Sequence, residues 1–337
     1  MSLANKFLSI LTRRYRLKKS YCSSNRCSSS TKDQILHHLS NPAECHRSKV
    51  SIIGVGNVGI AVAVSLLAQN ITNDIAIVSL NEQKLKGEVL DLQHASQFLY
   101  DPSVVGGTDL KITQNSYVTI IAASDKDVKP LDMIRNISAD VIKHSPHTFL
   151  IIVSDPVNVL TQECAKTLGV PKNRIIGTGC HVDSVRLRHL ISQKYGVAPE
   201  SCSGWVLGDH GDCSVIAWST LSVGGTRISS TDQWPGLHEE IIKVTKYDGK
   251  STSTWTIALS ISDMVKSILQ NTRKVFSVSV PVKGFYGIMD DVYLSLPSVL
   301  GANGVSEIVQ LPLTDTEIEA LQRAACHMKT LQQELTC

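Results

Sequence analysis

The stretch Lys49-Val-Ser-Ile-Ile-Gly-Val-Gly-Asn-Val-Gly-Ile-Ala-Val-Ala-Val-Ser-Leu-Leu67 limits the possible folds of this chain more than any other. Its first residues, 50–55, form an apolar run with the β-branched content of a buried strand. Gly54, Gly56 and Gly59 are spaced G-x-G-x-x-G, and an Ala- and Leu-rich run with helical spacing follows. Gly54 permits a tight turn, Gly56 lets a bound group approach the backbone, and Gly59 lets helix and strand pack closely. The helix start offers free N–H groups and a positive dipole end to a pyrophosphate. Strand, turn and helix in this order predict a dinucleotide site, with Gly54, Gly56, Asn57, Val58 and Gly59 as its candidate contacts.

The pattern continues in kind. Residues 74–80, 117–123 and 148–154 read as buried strands, and 82–99 and 131–144 as helices between them. Such alternation predicts a Rossmann-type, doubly wound parallel sheet. After Pro156 the order loosens into helices over 157–168, 180–194, 238–247 and 254–274. Strands follow over 276–282 and 292–300, and 314–335 forms a closing helix. This second half reads as a mixed α/β domain. The expected division is a basic leader over 1–30, an arm helix and linker over 31–48, a dinucleotide-binding domain over 49–178 and a substrate domain over 179–337.

Of the 337 residues, 42% are hydrophobic and 19% charged, enough apolar surface for a sizeable core. The net charge is +3, and much of that excess lies in the first 32 residues, so the folded part offers nothing to nucleic acid. No apolar run reaches membrane-span length. The nine cysteines are scattered, odd in number and never spaced Cys-x-x-Cys, which reads as reduced thiols in an intracellular protein and not as a metal site. The leader carries Arg13, Arg14 and Arg16 opposite Phe7, Leu8, Ile10 and Leu11, and its first acid is Asp33. That is the composition of a mitochondrial transit peptide; a disordered basic tail on a cytoplasmic protein is the alternative.

Two segments carry chemistry. In Asp183-Ser-Val-Arg186 the acid and base share a helix face, and Gly208-Asp-His-Gly-Asp212 places a histidine in a Gly-rich turn. One His, one Asp and one Arg suit 2-oxo and 2-hydroxy acid chemistry. Arg186 would grip a carboxylate, His210 would exchange a proton with the carbonyl oxygen, and Asp183 would orient the imidazole. Spacing alone equally allows a surface ion pair and an unrelated loop histidine.

The segments Gly54-Val-Gly-Asn-Val-Gly59, Lys84-Leu-Lys-Gly-Glu88, Leu90-Asp-Leu-Gln-His94, Pro171-Lys-Asn-Arg-Ile-Ile-Gly-Thr-Gly-Cys180, Gly204-Trp-Val-Leu-Gly-Asp-His-Gly-Asp212 and Lys283-Gly-Phe-Tyr-Gly-Ile288 resemble the L-lactate dehydrogenases of the lactate/malate dehydrogenase family. The likeness runs from about Lys32 to the C-terminus. It implies NAD as cofactor, a small 2-oxo or 2-hydroxy acid as substrate and a homotetramer, with residues 31–39 matching the arm that packs between subunits. It also makes His210 the acid/base, Asp183 its partner and Arg186 the carboxylate anchor. Ser253 stands where the family has a threonine near the substrate.

Three departures accompany the resemblance. Ser79 replaces the acid that holds the adenosine ribose, which implies weaker NAD binding and removes repulsion against the 2′-phosphate of NADP. Ala122-Ala-Ser-Asp-Lys-Asp-Val-Lys129 is a shortened lid loop with Lys129 at the carbonyl-polarising arginine's place, a charge without the fork. In Val153-Ser-Asp-Pro156, Asp155 replaces an asparagine that touches substrate and nicotinamide ribose, which sets a negative charge near an anionic substrate. Two functions follow: a dehydrogenase of weakened or altered specificity, or a catalytically silent paralogue with a binding or assembly role.

Overall fold

The computed structural model describes residues 48–124, 128–228, 234–243 and 253–336. The leader, the arm and the middle of the lid loop lie outside the described residues.

β1 (Val50–Ile53) is buried throughout and leads through the glycine turn into α1 (Asn57–Ala68). β2 (Asp74–Val78), α2 (Glu82–His94), β3 (Ser103–Gly107), β4 (Val118–Ile121), α3 (Pro130–His144), β5 (Phe149–Ile152), α4 (Val157–Thr167) and β6 (Ile175–Gly177) complete the first half. The strands lie in the order β3-β2-β1-β4-β5-β6, all parallel, with Val50 opposite both Ile75 and Val118. This is the dinucleotide-binding order, and its crevice opens where the order reverses between β1 and β4. Ile52, Ile75, Ile77, Ile120, Leu150 and Ile151 are fully enclosed, each worth at most about 1.5–3 kcal/mol of burial. Buried hydroxyls among them are paired: Ser51 with Ser116 at 2.6 Å, and Thr119 with Thr148 at 3.0 Å.

The second half holds α5 (His181–Tyr195), β7 (Cys202–Ser203), β8 (Val206–Gly208), β9 (Ser214–Ile216), β10 (Ser222–Val223), β11 (Thr226–Arg227), α6 (Leu237–Lys243) and α7 (Thr254–Gln270). It ends with β12 (Lys274–Pro281), β13 (Tyr293–Gly301), β14 (Gly304–Ile308) and α8 (Asp315–Thr336). β12 pairs antiparallel with β6 at Ser279 and Gly177, so the parallel sheet passes directly into an antiparallel one. β8 and β9 form a hairpin at the far edge, and the turn between them holds His210.

The structure corrects two helix ends. The helix read over 82–99 stops at His94 and tightens into a 3₁₀ turn over Ala95–Phe98. The helix read over 254–274 stops at Gln270, because Asn271 turns left-handed at φ 52° and Lys274 already belongs to β12. β3 and β14 are strands where none was expected.

Candidate active site and cofactor pocket

Three elements bring the chemistry together. α5 places Asp183 in its first turn and Arg186 one turn on, both nearly enclosed, with side chains 3% and 10% exposed. Arg186 Nη1 donates to Asp183 Oδ1 at 3.0 Å. His210, reached from the β8–β9 turn, donates through Nδ1 to Asp183 Oδ2 at 2.7 Å, since a carboxylate only accepts. Arg186 Nη2 donates to the hydroxyl of Ser253, the residue preceding α7, at 2.6 Å. One buried carboxylate thus holds both the Arg186 guanidinium and the His210 imidazole. The surface-pair reading of Asp183 and Arg186 is excluded by their burial, and His210 is part of the same cluster.

His210 is 43% exposed, so its remaining nitrogen, Nε2, can exchange a proton with a ligand. The hydrogen bond to Asp183 raises the imidazole pKa above its ordinary value, and partial burial opposes the shift. Asp155 sits just before α4 and is close enough to interact with His210. Its side chain meets solvent, yet the protein around it desolvates the carboxyl enough to raise its pKa, with His210 pulling the other way.

Sequence reasoning missed Asn158. Buried in the first turn of α4, it donates through Nδ2 to Asp209 Oδ1 at 2.7 Å, which ties the histidine turn to the first half of the chain. The two residues are 51 positions apart, and only the placement of Asn158 one turn beyond Asp155 could have drawn attention to it.

Lys129 is exposed at the N-cap of α3, and among the described residues no hydrogen bond or ion pair joins its ammonium to His210, Asp183 or Arg186. Ser79, Gly54 and Gly56 line a cavity of about 450 Å³ together with Lys84, Ala122 and Ile137, and His210, Asp183 and Arg186 are not among its lining residues. Here too a residue was missed: Lys84, in the first turn of α2, lines the same cavity as Ser79.

The cavity fits a dinucleotide. Gly54 has φ +117°, and a Cβ there would meet the Ala122 carbonyl oxygen at 2.6 Å. A Cβ at Gly59 would collide with the Gly54 carbonyl oxygen, so close packing of α1 on β1 requires its absence. Gly56 faces open space, leaving bare backbone at the start of α1. Asn57 is exposed and Val58 half-buried as the helix begins. These are the three separate jobs that a phosphate-binding turn assigns to its glycines.

The comparisons agree with this geometry. Residues 48–177 match the lactate/malate dehydrogenase NAD binding domain, and residues 180–337 match the alpha/beta C-terminal domain of the same family. The chain is 39% identical to the human protein L-lactate dehydrogenase A-like 6B over 327 residues, covering 90% of this chain and 86% of that one. NAD is the cofactor that goes with this fold, and the coarse chemistry is that of an NAD-dependent 2-hydroxy acid dehydrogenase. The chain belongs to the lactate/malate dehydrogenase family, as a divergent member.

Proposed function

We propose that the chain exchanges a hydride between NAD(H) and a small 2-oxo or 2-hydroxy acid of the L-lactate and pyruvate type, at a reduced rate. The observation that carries this reading is the linked cluster His210–Asp183–Arg186–Ser253. Bound nicotinamide supplies the hydride chemistry. The chain's own residues bind, orient and move one proton. Arg186 is held at both terminal nitrogens and keeps N–H groups for a substrate carboxylate. His210, with Nδ1 committed to Asp183, delivers or takes the proton at Nε2. Asp183 fixes the ring orientation and stabilises the imidazolium.

The test is oxidation of NADH by the full chain with pyruvate, oxaloacetate and bulkier 2-oxo acids, with His210→Ala as control. Turnover that disappears in the control supports the reading and names the substrate. No turnover with any acid, in folded protein, overturns it.

A second reading, a silent paralogue retained for binding or assembly, is favoured by Lys129 and Asp155. Among the described residues the first stands exposed without a link to the cluster, and the second adds a carboxyl beside His210. Lys129→Arg with Asp155→Asn separates the two readings: large recovery of turnover marks a weakened enzyme, and none marks a silent one.

An apolar face supports a homotetramer. Trp255 and Leu259 of α7 are 67% and 56% exposed, and Val64 of α1 is also exposed. α7 packs on α1, with Ser262 donating to Ser65 at 2.8 Å. Such a face suits a second copy of the chain. The basic leader supports a mitochondrial destination.

A further inference from the structure

We propose that the ribose end of the cofactor cavity accepts a 2′-phosphate, so that the chain binds NADP(H) about as well as NAD(H). The inference rests on the reading of this cavity as the dinucleotide site, and it concerns which dinucleotide the site selects.

Selection against a 2′-phosphate ordinarily depends on an acid at the end of the second strand, about twenty residues after the glycine turn, where it grips the ribose hydroxyls and repels the phosphate. β2 ends at Val78, and the next residue is Ser79. Its hydroxyl accepts the Asn81 N–H at 3.2 Å and carries no charge. Among the described residues no carboxylate lines the cavity. The nearest acid in sequence, Glu82, is drawn to Lys86 by a 2.8 Å ion pair along the outside of α2.

The wall also carries groups that suit a phosphate. Ser79, Asn81 and Thr108 offer a hydroxyl, an amide and a second hydroxyl. Lys84 is exposed at the same wall, and among the described residues its ammonium has no ion-pair partner. α2 begins at Glu82, so the positive end of its dipole lies at this wall. Removal of the acid and the presence of an unengaged cation act in the same direction. A serine alone would only relax selection, whereas serine with Lys84 gives the added phosphate a charge partner.

The experiment is direct binding of NADH and NADPH to the full chain, read by nicotinamide fluorescence without substrate. In the native chain the two dissociation constants should agree within about tenfold. Ser79→Asp should weaken NADPH relative to NADH by about a hundredfold, because a like charge is placed against the phosphate. Lys84→Ala should lower the NADPH-to-NADH affinity ratio by about fivefold, the scale of one exposed charge pair. Because Lys84 is exposed on a helix, that variant keeps the test informative should Ser79→Asp fold poorly. Tight NADH binding with NADPH weaker by about a hundredfold or more in the native chain overturns the 2′-phosphate inference and leaves the dehydrogenase reading standing. Binding of neither dinucleotide overturns both.

Discussion

His210 Nδ1 lies 2.7 Å from Asp183 Oδ2, while the other oxygen of that buried carboxylate is engaged by Arg186 at 3.0 Å. In the proposed reaction, proton exchange and carboxylate binding therefore share one support. Asp183→Asn removes the negative charge that both donors share and turns its amide N–H toward one of them, so it disturbs both functions together. We expect kcat to fall by about 10²–10⁴-fold with a rise in KM, measured as steady-state oxidation of NADH. A fall in kcat with KM unchanged would place the carboxylate outside substrate binding.

The raised pKa of His210 has a pH signature. Reduction of a 2-oxo acid needs the protonated ring, so kcat/KM in that direction should fall as pH rises through a value above 6.5, and oxidation of the hydroxy acid should rise over the same interval. Stability follows the same sign. The folded state holds the proton more tightly than the unfolded chain, so the added stability is complete below the unfolded pKa and is lost as pH rises through the folded one. His210→Gln should flatten that alkaline loss, read as Tm against pH.

Asp155 adds a second loss of reduction rate as pH rises. In the proposed reaction the protonated carboxyl would donate a hydrogen bond at low pH as an asparagine does, and at higher pH its anion beside His210 would oppose an anionic substrate. Asp155→Asn should therefore accelerate 2-oxo acid reduction, with a gain that grows from acid to alkaline pH and reaches on the order of a hundredfold where the native carboxyl is fully ionised. A gain independent of pH would show that charge is not what limits Asp155.

His181 opens α5 but is enclosed against Phe276, with ring centroids 4.9 Å apart. Among the described residues its Nδ1 has no hydrogen-bond partner, and burial pushes its pKa down to about 3. The unfolded chain binds that proton readily below pH 6.5, so this residue makes the fold lose stability as pH falls from 6.5 toward 3. His181→Leu should raise Tm, and the rise should be larger at pH 5 than at pH 8.

If α7 and α1 present the subunit face, Trp255→Glu with Leu259→Glu should reduce the assembly by at least one step in light scattering while the secondary structure by circular dichroism stays unchanged. An unchanged mass would place the interface elsewhere.

The glycine turn could be read in the sequence because each glycine answers a local demand, and those demands recur as φ +117° at Gly54 and close packing at Gly59. Buried strands such as Ile75–Val78 announce themselves as apolar runs. β3 did not: Ser103-Val-Val-Gly-Gly107 is a sheet edge, half-covered and glycine-ended, and its pairing with β2 supplies what its composition lacks. The end of α7 depended on one asparagine in a left-handed turn, a choice local periodicity does not register. In the site, helical spacing showed that Asp183 and Arg186 share a face, but the approach of His210 spans 27 positions and is made by the fold. The Asn158–Asp209 tie spans 51 positions and has no local signature.

Gly177 and Ser279 are where the parallel and antiparallel portions of the sheet meet. Cutting the chain there would leave each portion with a raw strand edge of unpaired N–H and C=O groups. Neither half is then a detachable module. Melting should be one cooperative event in which cofactor binding protects a hydrogen-exchange signal in β13 as well as in β1, so that a ligand on one half reports on the integrity of the other.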